Sequence, residues 1–140
     1  MMNEAVLVDT GPLIAIYNQR DPQHSKCREV LDAIPFGKAY TCWPVITEAA
    51  YMLRKRSEQR NDLLQAVITG DFGLLRLREG DLEPVQDVFR KYHDQEVDLA
   101  DACLLHLADR EEISTVLTLD RRHFSVFRRL SGSALSLLPE

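Results

Sequence analysis

The sequence has no long hydrophobic run. No stretch of its 140 residues approaches the ~18 consecutive apolar residues that a membrane helix needs, so a membrane-spanning helix is not expected. The opening MMNEAVLVDT lacks the basic start and long apolar stretch of a secretory leader, and a cytoplasmic protein is the expectation. Cysteine is scarce: Cys27, Cys42 and Cys103 are odd in number, far apart and set among apolar residues. That excludes a disulfide framework and predicts buried reduced thiols. The histidines, His24, His93, His106 and His123, show no paired ligand spacing, which argues against zinc. Aromatic residues, at 7%, are too few to mark a stacking platform for single-stranded nucleic acid, and Trp43 and Tyr51 are expected to pack in the core. A net charge of −5 excludes a protein that coats nucleic acid by bulk electrostatics. It leaves room for an enzyme that engages nucleic acid locally, through bound metal and a few arginines.

What is present is ordinary globular composition, 45% apolar and 28% charged, with a length that fits one domain over residues 1–140. There is no repeat, linker or low-complexity tract. Short, continuously apolar runs at 5–8, 39–42, 72–77, 115–119 and 134–138 read as strands buried on both faces, the mark of a parallel sheet. Segments with helical period lie between them. Cys27, Val30, Leu31 and Ile34 follow Asp21-Pro22, a cap and first-turn pair. Val45, Ile46, Ala49, Ala50 and Leu53 follow Pro44. Leu63, Leu64, Val67 and Ile68 end near Gly70, and Val85, Val88, Phe89 and Tyr92 make a fourth helix. A fifth runs from Asp98 to about Glu111, with Leu99, Cys103 and Leu107 expected inside. This alternation predicts an α/β fold: a three-layer α/β/α sandwich around a mainly parallel sheet of about five strands.

In an open parallel sheet, ligands bind beyond the carboxyl ends of the strands. Asp9 directly follows the first apolar run and Asp120 the fourth. Asp98 and Asp101, three apart, project from one side of a helix's first turn. Glu48 lies at the margin of an apolar arc, where an acid needs a partner. Each has a plainer reading: Asp9 as the cap of a helix opened by Gly11-Pro12, Asp98 with Asp101 as a capping pair, Asp120 as the cap of a short helix over 121–127. Gathered together, they repel unless protonated or joined by a cation. Oxygen ligands without accompanying His or Cys favour Mg²⁺ or Mn²⁺, and the chemistry such a site serves is attack of water on a phosphodiester.

Four segments resemble the PIN-domain family in the family's order. VLVDTGPLIA (6–15) is similar to its opening strand and turn, PVITEAAYML (44–53) to its second block, DLADACLLHLA (98–108) to its third and VLTLDRRHF (116–124) to its fourth. The resemblance covers the whole chain and implies a Mg²⁺- or Mn²⁺-dependent endoribonuclease, often the toxin of a VapBC-type toxin–antitoxin pair. It implies that Asp9, Glu48, Asp101 and Asp120 bind metal, with Asp98 as an accessory and Thr10 and Thr118 supporting by hydrogen bonds. It also implies an RNA substrate, a homodimer and a small antitoxin partner. The sequence departs from the pattern at Gly11-Pro12, where a Ser or Asn and a small residue are frequent.

Two basic groups, one at Arg54, Lys55, Arg56 and Arg60 and one at Arg121, Arg122, Arg128 and Arg129, read either as RNA contacts or as solvated helix faces. Arg121 and Arg122, next to a proposed ligand, are the candidates for a phosphate contact. Two other classes compete. A HAD-type phosphatase or receiver domain also places Asp after its first strand. But the HAD pattern wants an acid two residues on, where this chain has Gly11, and both want a late Lys, whereas nothing after Lys91 serves. A non-catalytic PIN-like binding module has the same pattern, and metal binding separates it from an enzyme.

Overall fold

The computed structural model describes residues 5–140. The first four residues, on which the reading of a leaderless start partly rests, lie outside the described part. Five strands form one sheet: β1 Val6–Val8, β2 Ala39–Thr41, β3 Gly73–Leu74, β4 Thr115–Leu117 and β5 Ser136–Leu138. All neighbouring pairs are parallel, in the order β3-β2-β1-β4-β5. The sandwich and its parallel sheet are as the apolar runs predict.

β1 sits at the centre with Val6, Leu7 and Val8 all buried, as continuous apolar character requires of a strand covered on both faces. The path β1→β2→β3 moves one way across the sheet, and β3→β4 returns past β1 to its other side. Right-handed crossovers then put the two sets of helices on opposite faces. The direction reverses between β1 and β4, so the crevice beyond their carboxyl ends is the expected ligand site.

Strands are shorter than the apolar runs. The run at 72–77 contributes only Gly73 and Leu74 to the sheet, after which Leu75 donates one last bond to the Thr41 carbonyl at 2.9 Å. Gly73 lies under the Tyr40 ring, and a Cβ there would come within 2.7 Å of it. Close approach of ring to backbone thus lets this edge strand seat.

Seven helices fill the crossovers: α1 Thr10–Tyr17, α2 His24–Ala33, α3 Trp43–Met52, α4 Ser57–Ile68, α5 Leu82–Lys91, α6 Leu99–Arg110 and α7 Arg121–Phe124. No described helix is long and apolar enough to cross a membrane. α2 begins later than Asp21-Pro22 suggests, because the Asp21 side chain accepts from the Gln23 amide at 2.8 Å and holds a separate turn there. In α4 the inward positions are Leu63 and Ala66, while Leu64 and Ile68 are exposed. α6 is buried almost all round, Asp101 included, but Leu99 at its first position is 53% exposed, contrary to expectation. Trp43 and Tyr51, expected in the core, are each 60% exposed. The buried stripe of α3 runs through Val45, Ile46 and Ala49, which turns both rings outward. Cys27, Cys42 and Cys103 are buried free thiols, with burial as the first cause raising each thiol pKa.

α5 and α6 are pinned at one end by Asp81. Its carboxylate takes His106 Nε2 at 2.6 Å and Arg110 at 3.2 Å, and also accepts from the Arg78 amide at 2.7 Å. These bonds hold the Asp81 carboxyl down at about 2, the Arg78 amide contributing most.

Candidate metal centre

The expected acids meet at the switch point. A cavity of about 410 Å³ beyond the strand ends is lined by Asp9, Thr10, Glu48, Asp98, Asp101 and Asp120, together with Gly11, Ile14, Met52 and Leu119. Four elements deliver the acids. Asp9 leaves β1 and begins α1, Glu48 lies one turn into α3, Asp98 and Asp101 open α6, and Asp120 leaves β4 and begins α7.

Asp9 and Asp101 are 5% and 6% exposed, deep for charged groups. Burial, followed by the charges of Asp98 and Asp120, pushes the Asp9 carboxyl up to about 6; bonds from Thr10 and Thr118 oppose this. Burial raises Asp101 further, to about 8, with Asp98 and Asp9 as the next causes. Glu48 rises to about 6, through burial first and then Asp98. The three therefore hold protons far above the usual carboxylate range. A compact group of acids in this state is short of positive charge.

Hydrogen bonds fix the geometry. Thr118 Oγ1 donates to Asp9 Oδ2 at 2.8 Å and accepts from the Asp120 amide at 2.9 Å, so one hydroxyl ties together the acids of β1 and β4. Thr10 supports Asp9 through its amide, whereas its hydroxyl is buried without a partner. Asp98 and Asp101 form a reciprocal capping box: Asp98 accepts from the Asp101 amide at 2.8 Å, and Asp101 from the Asp98 amide at 3.4 Å. Asp120 caps α7 through the His123 amide at 3.2 Å. Asp9 makes no side-chain cap, so the capping explanation fails for it. For Asp98, Asp101 and Asp120, capping and membership of the cluster coexist.

One residue was missed. His123 Nδ1 lies 2.8 Å from Asp120 Oδ2 and 3.9 Å from Asp101 Oδ2, and Asp101, Asp120 and His123 bring ligand atoms within 4.8 Å of one another. The signal was the three-residue interval in DRRH (120–123), which one helical turn converts into contact; a search for paired histidines overlooks it. The arginines are less committed. Arg121 donates to the Pro139 carbonyl at 2.7 Å, while Arg122 is exposed.

A parallel α/β/α sandwich whose switch point carries acids from four successive blocks defines the PIN class of fold. The PIN domain family model matches residues 6–131, and the chain belongs to that family. It is 30% identical over 136 residues to the ribonuclease VapC26 of Mycobacterium tuberculosis, an alignment covering 96% of this chain and all of the relative. Among solved structures, the fold is similar to that of the M. tuberculosis toxin VapC20, described as cleaving the sarcin–ricin loop. That match has TM-score 0.73 at 16% identity, over 80% of this chain and 87% of that one. It is also similar to a chain of FitAB bound to a DNA fragment, with TM-score 0.63 at 15% identity, over 95% and 93%.

Proposed function

We propose that this protein is a metal-dependent endoribonuclease that hydrolyses RNA phosphodiester bonds at Asp9, Glu48, Asp101 and Asp120. The observation that carries this is the convergence of those acids with Asp9, Glu48 and Asp101 all raised toward neutral pH. Ionising them together is costly until a cation offsets their repulsion. The donors are oxygen atoms with one imidazole at the edge, which suits Mg²⁺ or Mn²⁺. When bound, such a cation activates water for attack on a phosphodiester and stabilises the charge that builds on the leaving oxygen.

The chain's own groups do the rest. Asp9 and Asp101, the two buried acids, would hold the cation as carboxylates, their protons released on binding. Glu48 and Asp120, which line the same cavity, would complete the ligand set, with Asp98 as an accessory that caps α6. Thr118 holds the Asp9 oxygen in place, and His123 steadies Asp120. Arg122, and Arg121 on release from Pro139, are the nearby cations for an RNA backbone.

The same reading makes residues 1–140 one domain in the cytoplasm, and the chain the toxin of a toxin–antitoxin pair, forming a homodimer and bound by a small antitoxin. The 30% identity to a VapC ribonuclease supports this. So do Leu82 and Leu99, which are more than half exposed and line a groove with Pro44, Leu77 and Val85, edged by Arg78, Glu79 and Asp81, a surface suited to another chain.

The test is cleavage of a mixed RNA pool with Mg²⁺ or Mn²⁺, against EDTA and an Asp101→Asn variant. Cutting that requires both metal and Asp101 is the expected result. Cutting in EDTA, or wild-type cutting by the variant, overturns the assignment.

A further inference from the structure

The acid pocket has a second side. Ile14, Met52 and Leu119 line the pocket together with the acids, and three of the acid-bearing elements each supply one of them. Met52 stands four residues beyond Glu48 on α3, the spacing that stacks side chains on one helix face. Ile14 lies on α1, which Asp9 opens, and Leu119 sits between Thr118 and Asp120. Met52 is 58% and Leu119 37% exposed, so core packing does not explain them. Leu119 lies close over the start of α1, where a Cβ on Gly11 would be in ordinary contact with the Leu119 Cβ at 3.4 Å.

Apolar side chains that share one cavity with a cluster of carboxylates fit a ligand with one flat apolar part and one anionic part joined by a short link. A nucleotide has that form. Resting on the reading of the acids as a phosphodiester site, we propose that Ile14, Met52 and Leu119 form a base-binding subsite that receives an unpaired nucleobase beside the phosphate held at the acids. The face of the ring packs on the two aliphatic side chains and on the polarisable Met52 sulfur, a favourable contact for an aromatic ring. Every base presents such a face, so the subsite selects unpaired, splayed-out RNA over duplex and discriminates weakly among bases.

The probe is a fluorescein-labelled single-stranded RNA ten-mer of mixed sequence, compared with an abasic ribose-phosphate strand of the same length. Binding is measured with all the acids intact and Ca²⁺ in place of Mg²⁺ or Mn²⁺, a hard cation that takes the same oxygen ligands, to suppress cutting. Met52→Ala and Leu119→Ala are each expected to weaken binding of the ten-mer about tenfold, to leave the abasic strand unaffected, and to be rescued in part by Met52→Leu. Both positions are exposed, so folding is not at stake. Equal weakening for both strands, or no weakening of the ten-mer, overturns the subsite, including the case in which the wall serves an apolar side chain of a partner protein. Cleavage by the otherwise unaltered chain is read separately. Discrimination between the strands without any cutting would overturn the nuclease and keep the subsite; cutting without discrimination would do the reverse.

Discussion

At Asp9, burial and hydrogen bonding oppose each other, and burial wins: the carboxyl moves from 3.8 to about 6 despite bonds from Thr10 and Thr118. A carboxyl raised in the folded state adds no penalty below pH 3.8, where it is protonated both folded and unfolded. The cost accumulates as pH rises through the folded value and is complete above about 6. One unit corresponds to ~1.4 kcal/mol, so the ionised form costs roughly 3 kcal/mol in the absence of metal. Asp9→Asn keeps an oxygen for Thr118 and removes the charge. It should raise metal-free stability at pH 7.5 by about 1–3 kcal/mol, change little at pH 4, and abolish cleavage. Melting curves in EDTA at both pH values check this; strong destabilisation at pH 7.5 would return Asp9 to a structural role. Thr118→Val tests the bridge from the other side. It strands a buried Asp9 oxygen and the Asp120 amide, at a cost of about 1–3 kcal/mol, and loosens two acids at once. Turnover should fall and Thr118→Ser should restore it; a valine variant with wild-type turnover would show the bridge to be dispensable.

Among the elements, legibility followed burial. β1, β2 and β4 lie at or beside the sheet centre, so their apolar runs had no competing explanation, and the acids after β1 and β4 could be placed from chain order. β3 was overestimated because Leu75 and Leu77 are apolar for another reason: they pack as partly buried coil against the core. The outward turn of Trp43 was invisible because a helix with apolar residues on several sides gives no phase from periodicity alone. His123 was missed because its importance comes from a turn of α7, a helix of only four residues, too short for a periodic signal. The Asp81 clamp joins residues 25 and 29 apart in sequence, a contact no local pattern encodes. It holds the end of α6 opposite the acids, since nine residues from Asp101 to Arg110 span ~13 Å. Asp81→Ala should therefore cost about 2 kcal/mol, as a lost side-chain bond to Arg78 and two charge-assisted bonds. Cleavage per folded molecule should stay near wild type. Chemical denaturation paired with active-site-normalised rates checks both, and a large loss of rate without a loss of stability would show that α6 transmits the clamp to the site.

For the whole molecule, the acid cluster is a local weakness that, on the proposed function, a bound cation would turn into a link between elements distant in sequence. Asp9 and Asp120, the outermost of the four acids, lie 111 positions apart in sequence (120 − 9), and holding all four on one ion would favour the folded state, because the unfolded chain cannot present them together. At a Mn²⁺ concentration 100 times the dissociation constant, the stabilisation is ~2.7 kcal/mol, which for a chain of this size raises Tm by roughly 10 °C. If residues 1–140 are one domain, the shift appears in a single cooperative transition. Asp101→Asn should begin with a higher Tm than wild type in EDTA at pH 7.5, because it removes an acid that burial, more than its neighbours' charge, raises to about 8, and should gain little from Mn²⁺, so the two melting curves cross as metal is added. NaCl at the same ionic strength controls for nonspecific screening, which would move both proteins alike. A wild-type Tm that ignores Mn²⁺ would leave the raised carboxyls without their cation and point to a PIN fold that binds without cutting; crossing curves would tie the fold's least stable feature to its chemistry.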